Sequence, residues 1–278
     1  MENNSPIAIL LATYNSEQYI APQINSILEQ SSKDWTLFIH DDGSTDNTLQ
    51  IIQHYIANYK DKIIQLPKGK ERSGAAYNFE FLLQAVQSDF YMFCDHDDVW
   101  LHSKIDDSLK QMQRMEIEHP GSAVIVHTDL TIVDENLQIL HPSFYKKTRV
   151  NPLYFASFNF LGIANCITGC TMLINNMAKI KTPPFPENFS MMHDWWIAIN
   201  NCRNGKIFYL PKATLLYRQH ASNTIGVQKG GLFNILYLRR NLLYDMRKYR
   251  YLRMIGYGGI LKYMYYKVLY QLIRYIKK

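Results

Sequence analysis

The sequence predicts an α/β fold built on a doubly wound, mostly parallel sheet. Three observations carry this: apolar runs too continuous to alternate, apolar residues at helical spacing after each run, and a polar or acidic cluster closing each run. Strand-then-helix order recurs four times in the first half, which is how helices come to cover both faces of one sheet.

Residues 7–12, Ile-Ala-Ile-Leu-Leu-Ala, make the first buried strand, and Thr13-Tyr14-Asn15 ends it. Ile20, Ile24, Ile27 and Leu28 then mark a helix face. Residues 36–40 form a second β-rich run, closed by Asp41-Asp42-Gly43-Ser44-Thr45-Asp46. Leu49, Ile52, Ile56 and Tyr59 share a face of the next helix. Ser44, Thr45 or Asp46 can cap it, since a short side-chain oxygen accepts from the free N–H groups of a first turn. Residues 63–66 give a third strand, and Phe79, Leu82, Leu83 and Val86 mark a helix after Gly74. Residues 90–94 form the fourth strand, ending in Asp95-His96-Asp97-Asp98, and a helix around Ile105 follows. Beyond residue 120 the runs shorten, to 123–126, 170–174, 207–210 and 214–217, so the second half is expected to be mixed.

With 278 residues and 47 % hydrophobic content, one main domain over residues 1–228 and an appended tail over 229–278 are expected. The first six residues are short and polar, so no secretory signal is expected. Cys94, Cys166, Cys170 and Cys202 lack zinc-ribbon spacing and read as reduced, buried thiols of a cytoplasmic protein. The tail carries twelve Lys or Arg against Asp245 alone, a local +11 that leaves the body at −5 of the total +6. Leu232, Phe233, Ile235, Leu236, Leu238, Leu242, Leu243 and Tyr244 form an apolar stripe among its basic residues, and 260–278 repeats the theme with tyrosines. Such a tail suits the anionic inner face of a membrane; packing on the body or on a second subunit, as in a homodimer, stays open. Nucleic acid is not an expected partner, because no recognition motif accompanies the charge. Residues 151–178 contain no charged residue, yet Asn159, Gly162, Asn165, Thr168, Gly169, Asn175 and Asn176 interrupt them too often for a lipid-facing helix. They are expected to form a loop-rich wall beside a substrate cleft.

In an open α/β sheet the ligand site lies beyond the carboxyl ends of the strands, where strand order reverses. Thr13-Tyr14-Asn15, Asp41-Asp42 and Asp95-x-Asp97 all fall there. Tyr14 can stack on a nucleobase and Asp42 can accept from a ring N–H. The acids after the fourth strand either cap the next helix or hold Mg²⁺ or Mn²⁺, cations that take oxygen ligands and share them with phosphate.

These residues, taken in order, resemble the N-terminal half of a family 2 glycosyltransferase with the GT-A fold. The resemblance spans about residues 6–226. Its motifs are Ala12-Thr13-Tyr14-Asn15, His40-Asp41-Asp42-Gly43-Ser44-Thr45-Asp46, Arg72-Ser73-Gly74, Asp95-His96-Asp97-Asp98, Thr168-Gly169-Cys170-Thr171, His193-Asp194-Trp195-Trp196 and Tyr217-Arg218-Gln219-His220. It implies a nucleotide-sugar-binding half over about 1–120 and an acceptor-binding half over 121–228. It also implies a nucleoside-diphosphate-sugar donor held by Thr13, Tyr14, Asn15, Asp42, Gly74 and Asp95, with Arg218 on phosphate. Mn²⁺ or Mg²⁺ would sit on Asp97 and Asp95, with His220 completing the shell. Lys70 and Arg72 could also reach phosphate. Asp194 matches the catalytic base, although the family often has Glu-Asp where this chain has His193-Asp194. Trp195, Trp196 and His193 would face the acceptor sugar; alone, this stretch also reads as the start of a core helix.

The resemblance is nearest the rhamnosyltransferase-like branch of bacterial O-antigen and capsule synthesis. It implies inverting transfer from dTDP-rhamnose, or alternatively from UDP-glucose or UDP-galactose, to a lipid-linked saccharide at the inner leaflet. A nucleotidyltransferase would need a basic, Gly-rich loop after the first strand, and residues 12–16 have neither Gly nor Lys. A degenerate, non-enzymatic scaffold would have lost its acids, whereas Asp42, Asp97 and Asp194 are all present.

Overall fold

The computed structural model describes residues 6–67, 74–189, 191–220 and 235–276. Lys70, Arg72, the turn Ser222-Asn223-Thr224 and the side chains of the expected stripe from Leu232 to Tyr244 lie outside what is described.

The strands in chain order are β1 (Ile7–Thr13), β2 (Trp35–Asp41), β3 (Ile63–Gln65), β4 (Phe90–Asp95), β5 (Val99–Trp100), β6 (Val124–Val133), β7 (Ile139–His141), β8 (Met172–Asn175) and β9 (Lys206–Arg218). Between them run α1 (Ile20–Leu28), α2 (Thr48–Asn58), α3 (Ala75–Ala85), α4 (Lys104–Glu118), α5 (Phe144–Thr148), α6 (Pro152–Phe155), α7 (Phe158–Leu161), α8 (Asn176–Lys181) and α9 (His193–Asn201), then α10 (Ile235–Met254) and α11 (Ile260–Ile276). The sheet order is β3-β2-β1-β4-β8-β6-β9-β5, with β7 paired to β6. The first four strands are parallel, as expected, and β8 then runs antiparallel to β4 and opens the mixed half.

Side chains of β1 alternate between two cores. Ile7, Ile9 and Leu11 join Ile20, Ile24 and Ile27 of α1, while Ala8, Leu10 and Ala12 join Phe79 and Leu82 of α3. Burial on both faces is why the strand reads as unbroken apolar sequence. The chain steps outward from β1 to β2 and β3, then returns to the other side of β1 as β4. Strand order therefore reverses at β1, and the register sets Thr13 opposite Asp41 and Ala12 opposite Asp95 at that point.

The second half departs from its apolar pattern in identifiable places. β6 is buried throughout its length, but His127, Thr128, Asp129 and Thr131 hide its extent from a hydrophobicity reading. The two runs 207–210 and 214–217 are one strand, β9, whose pairing passes from Leu210 opposite Thr128 to Ala213 opposite Asp129. Pro211 and Lys212 bulge out between them, as befits a residue with no N–H to give the ladder.

The uncharged stretch folds as expected of a wall. Two of its asparagines are caps: Asn151 Oδ1 accepts from Leu153 N (3.0 Å) at α6, and Asn175 Oδ1 accepts from Ala178 N (3.0 Å) at α8. No described helix is long and apolar enough to cross a membrane. The helices of the tail dock on this wall. Tyr251, Leu252, Tyr257, Tyr263 and Tyr270 join the main core, and Gly162 leaves room for Tyr257, whose ring would lie 2.2 Å from a Cβ there.

Candidate active site

A cavity of about 1770 Å³ opens at the carboxyl ends of β1, β2 and β4 and is also lined by residues 163–169, the start of α9 and two tail side chains, Lys248 and Arg274. It is large enough for more than one small ligand, since such sites usually span roughly 300–1,000 Å³.

On the β1–β2 side the loop builds itself. Thr13 Oγ1 donates to Asp41 Oδ1 (2.9 Å), and Asp41 Oδ2 accepts from the N–H groups of Gly43 (3.0 Å) and Ser44 (2.8 Å). Asn15, at φ 44°, accepts from Thr45 N (2.8 Å) through Oδ1. Thr13 and Asn15 thus line the cavity while their polar atoms shape the loop. Tyr14, half-exposed, and Asp42 are left to face a ligand. Asp42 Oδ2 accepts from Gly74 N (2.5 Å), and Gly74 enters α3 at φ 103°, a conformation that disfavours any residue with a Cβ.

Below them lies the acidic cluster. Asp97 Oδ2 and His220 Nε2 are 2.8 Å apart, the imidazole rests 4.7 Å from the Tyr19 ring, and both residues line the cavity with Asp95. Burial, then the charges of Asp97 and Asp194, push the Asp95 carboxyl well above the usual carboxylate range. Such a cluster is short of positive charge. The tightest grouping of ligand-type atoms among the described residues is a different one, Asp95, Asp98 and Cys170, within 4.8 Å of one another. Asp98 and Cys170 are sealed beneath the cavity floor, and burial followed by the neighbouring carboxylates keeps the thiol protonated. Both sets offer two carboxylates; Asp97, Asp95 and His220 differ in lining the cavity and in carrying an imidazole in place of the thiol, a soft donor poorly matched to a hard cation.

Arg218 is a correction to the sequence reading. It is 4 % exposed and does not line the cavity. Its Nε donates to Asp97 O (2.8 Å) and Nη1 to Glu135 O (2.5 Å), with the guanidinium 4.8 Å from the Tyr19 ring. It braces the acidic loop, because the buried carbonyls there need donors.

Asp194, in the first turn of α9, also lines the cavity, near enough for its charge to act on Asp95. Its Oδ2 accepts from Gly169 N (3.0 Å) and its Oδ1 from Trp195 N (2.5 Å). Burial outweighs these bonds and pushes the carboxyl up to about 6. Gly169 allows this approach: a Cβ there would meet His193 Nε2 at 2.5 Å.

Of the residues expected to face the acceptor, Trp196 needs correction. His193 packs on Phe79 (4.0 Å) and Phe93 (5.0 Å), has no described partner for either ring nitrogen, and is held neutral by burial, which lowers it to about 3. It wedges α9 in place. Trp196 lies off the cavity, with Nε1 donating to Pro183 O (2.8 Å) and its ring against Phe189 and Tyr251. His193 and Trp195 both line the cavity, and the indole N–H of Trp195 is fixed on Leu161 O (2.8 Å). The periodicity that places Asp194 also turns Trp196 inward. Trp196→Ala should accordingly cost about 3–5 kcal/mol in chemical denaturation, the range for emptying an aromatic site in a core, and leave nucleotide affinity unchanged in the folded protein.

Several wall and floor residues carried no sequence signal. Lys104 begins α4 and looks solvated, yet it is buried, with Nζ on Cys170 O (2.9 Å), and burial lowers it to about 8. Lys248 and Arg274 enter from the tail on the carbonyls of Ile163 and Thr148.

Comparison with known proteins agrees with this geometry. The sequence profile of Glycosyl transferase family 2 matches residues 8–180. The dTDP-rhamnosyl transferase RfbG of Shigella flexneri is 30 % identical over 226 residues, 78 % of this chain and 73 % of that protein. The UDP-Glc:alpha-D-GlcNAc-diphosphoundecaprenol beta-1,3-glucosyltransferase WfgD of Escherichia coli is 24 % identical over 193 residues, 69 % of each chain. Among solved structures, the mannosyltransferase PcManGT from Pyrobaculum calidifontis, in complex with GDP-Man and Mn²⁺, matches with a TM-score of 0.55 at 16 % identity, over 80 % of this chain and 58 % of that one. At that identity the likeness bears on the fold alone. The nucleotidyltransferase and non-enzymatic alternatives are set aside by the family match, which extends over more than half of the sequence. The protein belongs to glycosyl transferase family 2 and is a glycosyltransferase of the GT-A fold.

Proposed function

We propose that the protein is an inverting, metal-dependent glycosyltransferase that moves a sugar from a nucleoside-diphosphate donor, dTDP-rhamnose in the first instance, to a lipid-linked saccharide of bacterial O-antigen or capsule synthesis. The observation that carries this reading is that Asp42, Asp97 and Asp194, distant in sequence, line one cavity.

In this reading residues 1–120 bind the donor and 121–228 the acceptor. Tyr14 stacks on the base and Asp42 accepts from its ring N–H, held in place by Thr13, Asn15 and the N–H of Gly74. Asp194 takes the proton of the acceptor hydroxyl as that oxygen bonds to the anomeric carbon. The bond from this carbon to the phosphate oxygen breaks from the other face, and its electron pair leaves with the nucleoside diphosphate. Attack opposite the leaving group inverts the anomeric centre. Mn²⁺ or Mg²⁺ on Asp97, Asp95 and His220 would supply neutralisation of the diphosphate charge. Arg218 keeps Asp97 in place through its backbone. Trp195 offers an edge to the acceptor sugar.

The name of RfbG supports a dTDP-deoxyhexose donor, and that of WfgD supports both the alternative, UDP-glucose, and a lipid-linked diphosphate acceptor. The +11 of residues 229–278 supports peripheral attachment to the inner face of the cell membrane. Donor choice is tested by thermal stabilisation with Mn²⁺ across dTDP-rhamnose, UDP-glucose and UDP-galactose. A ligand at a hundred times its Kd adds about 2.7 kcal/mol. Selective stabilisation by dTDP-rhamnose is expected, and preference for a UDP-hexose would transfer the assignment to the alternative.

A further inference from the structure

The two faces of α11 are unlike. The inner face belongs to the body: Tyr263 and Tyr270 are in the core, and Arg274 Nη2 donates to Thr148 O (2.7 Å) at the cavity wall. The outer face carries Ile260, Leu261, Met264, Tyr265, Val268 and Leu272, each between 50 % and 84 % exposed. At about 100° per residue these six fall in an arc roughly 140° wide, and Gln271 is the one polar side chain described within it.

An apolar strip of this extent is rarely left in water by a soluble domain. Lys262 on α11 and Arg247, Arg250 and Arg253 on the preceding helix α10 are exposed as well. Charge selects the occupant. A second copy would set one +11 tail against another, whereas an anionic bilayer supplies the opposite charge and accepts an apolar helix face at the headgroup boundary.

We infer that the outer face of α11 docks in the interfacial layer of an anionic lipid bilayer, with Leu261, Met264, Tyr265 and Val268 inserted and the arginines of α10 and Lys262 on the headgroups. This deepens the proposed membrane attachment of the tail, moving it from net charge to one defined helix face. It does not depend on the transfer reaction and can fail without it. Because Arg274 of the same helix lines the cavity, docking holds the cavity about one helix diameter, roughly 10 Å, from the lipid.

The test uses the full chain and flotation with vesicles of phosphatidylglycerol and phosphatidylethanolamine. Substituting Leu261→Ser, Met264→Ser and Val268→Ser together should raise the lipid concentration for half-binding at least tenfold, with Tm and nucleotide affinity unchanged. Separately, Tyr265→Trp should place an indole whose fluorescence is quenched by lipids brominated near the headgroup. Flotation by the triple variant equal to wild type, or absence of quenching, overturns the inference. So does light scattering that shows a dimer which the triple variant dissociates, since a second copy would then own the face.

Discussion

Asp194→Asn is expected to lower kcat by about 10² to 10⁴, the usual worth of a positioned general base, while nucleotide affinity in Mn²⁺ stays within about twofold of wild type. A sugar hydroxyl is a very weak acid, so its proton must leave as the new bond forms. Asp194 is a carboxylate lining the same cavity as Asp42 and Asp97. Two backbone N–H groups hold it, so it cannot swing away. The same residue sets a pH limb. Burial holds the carboxyl near 6 rather than near the ordinary Asp value, and only the ionised form can accept a proton. Wild-type turnover should therefore fall tenfold per pH unit below about 6 and level off above it. Undiminished turnover in the variant, measured with acceptor saturating, would move the base to another residue.

Asp97→Asn should remove the dependence of nucleotide binding on Mn²⁺. Loss of an outer-shell partner to a metal ligand typically costs about 10 to 100-fold in metal affinity, and a direct ligand is expected to cost more. The amide can still hydrogen-bond His220 across the 2.8 Å contact, so the fold should survive. Cys170→Ala separates the two candidate metal groups. It should leave Mn²⁺-supported binding unchanged if Asp97, Asp95 and His220 hold the ion, and weaken it if the sealed set of Asp95, Asp98 and Cys170 does. Titration of the nucleotide with and without chelator reads both variants. Equal affinity of Asp97→Asn and wild type in Mn²⁺ would remove Asp97 from the ligand set.

The parallel half was legible because its strands are buried on both faces. Ile7 to Ala12 had no polar residue to confuse the reading, and the acids at the strand ends marked the cleft. Reading β6 stopped at Val126 because His127, Thr128 and Asp129 satisfy their polarity inside the protein, with Tyr145, Thr214 and Ser143 as partners. Hydropathy counts such residues as surface, whereas a buried hydrogen bond removes the reason for them to be there.

Sequence by itself determined the order of the strands and helices in the parallel half, the acids Asp42, Asp95, Asp97 and Asp194, and the family, because these depend on local period and on residues kept at fixed spacing. Tertiary structure alone decided which polar side chains are available to a ligand. Arg218 and Trp196 stand in motifs yet are consumed by backbone carbonyls, and Lys248 and Arg274 come from the tail to the cavity wall. The physical reason is that a donor or acceptor is bound by whichever partner the folded chain brings within about 3 Å, and that distance depends on packing between segments far apart in sequence.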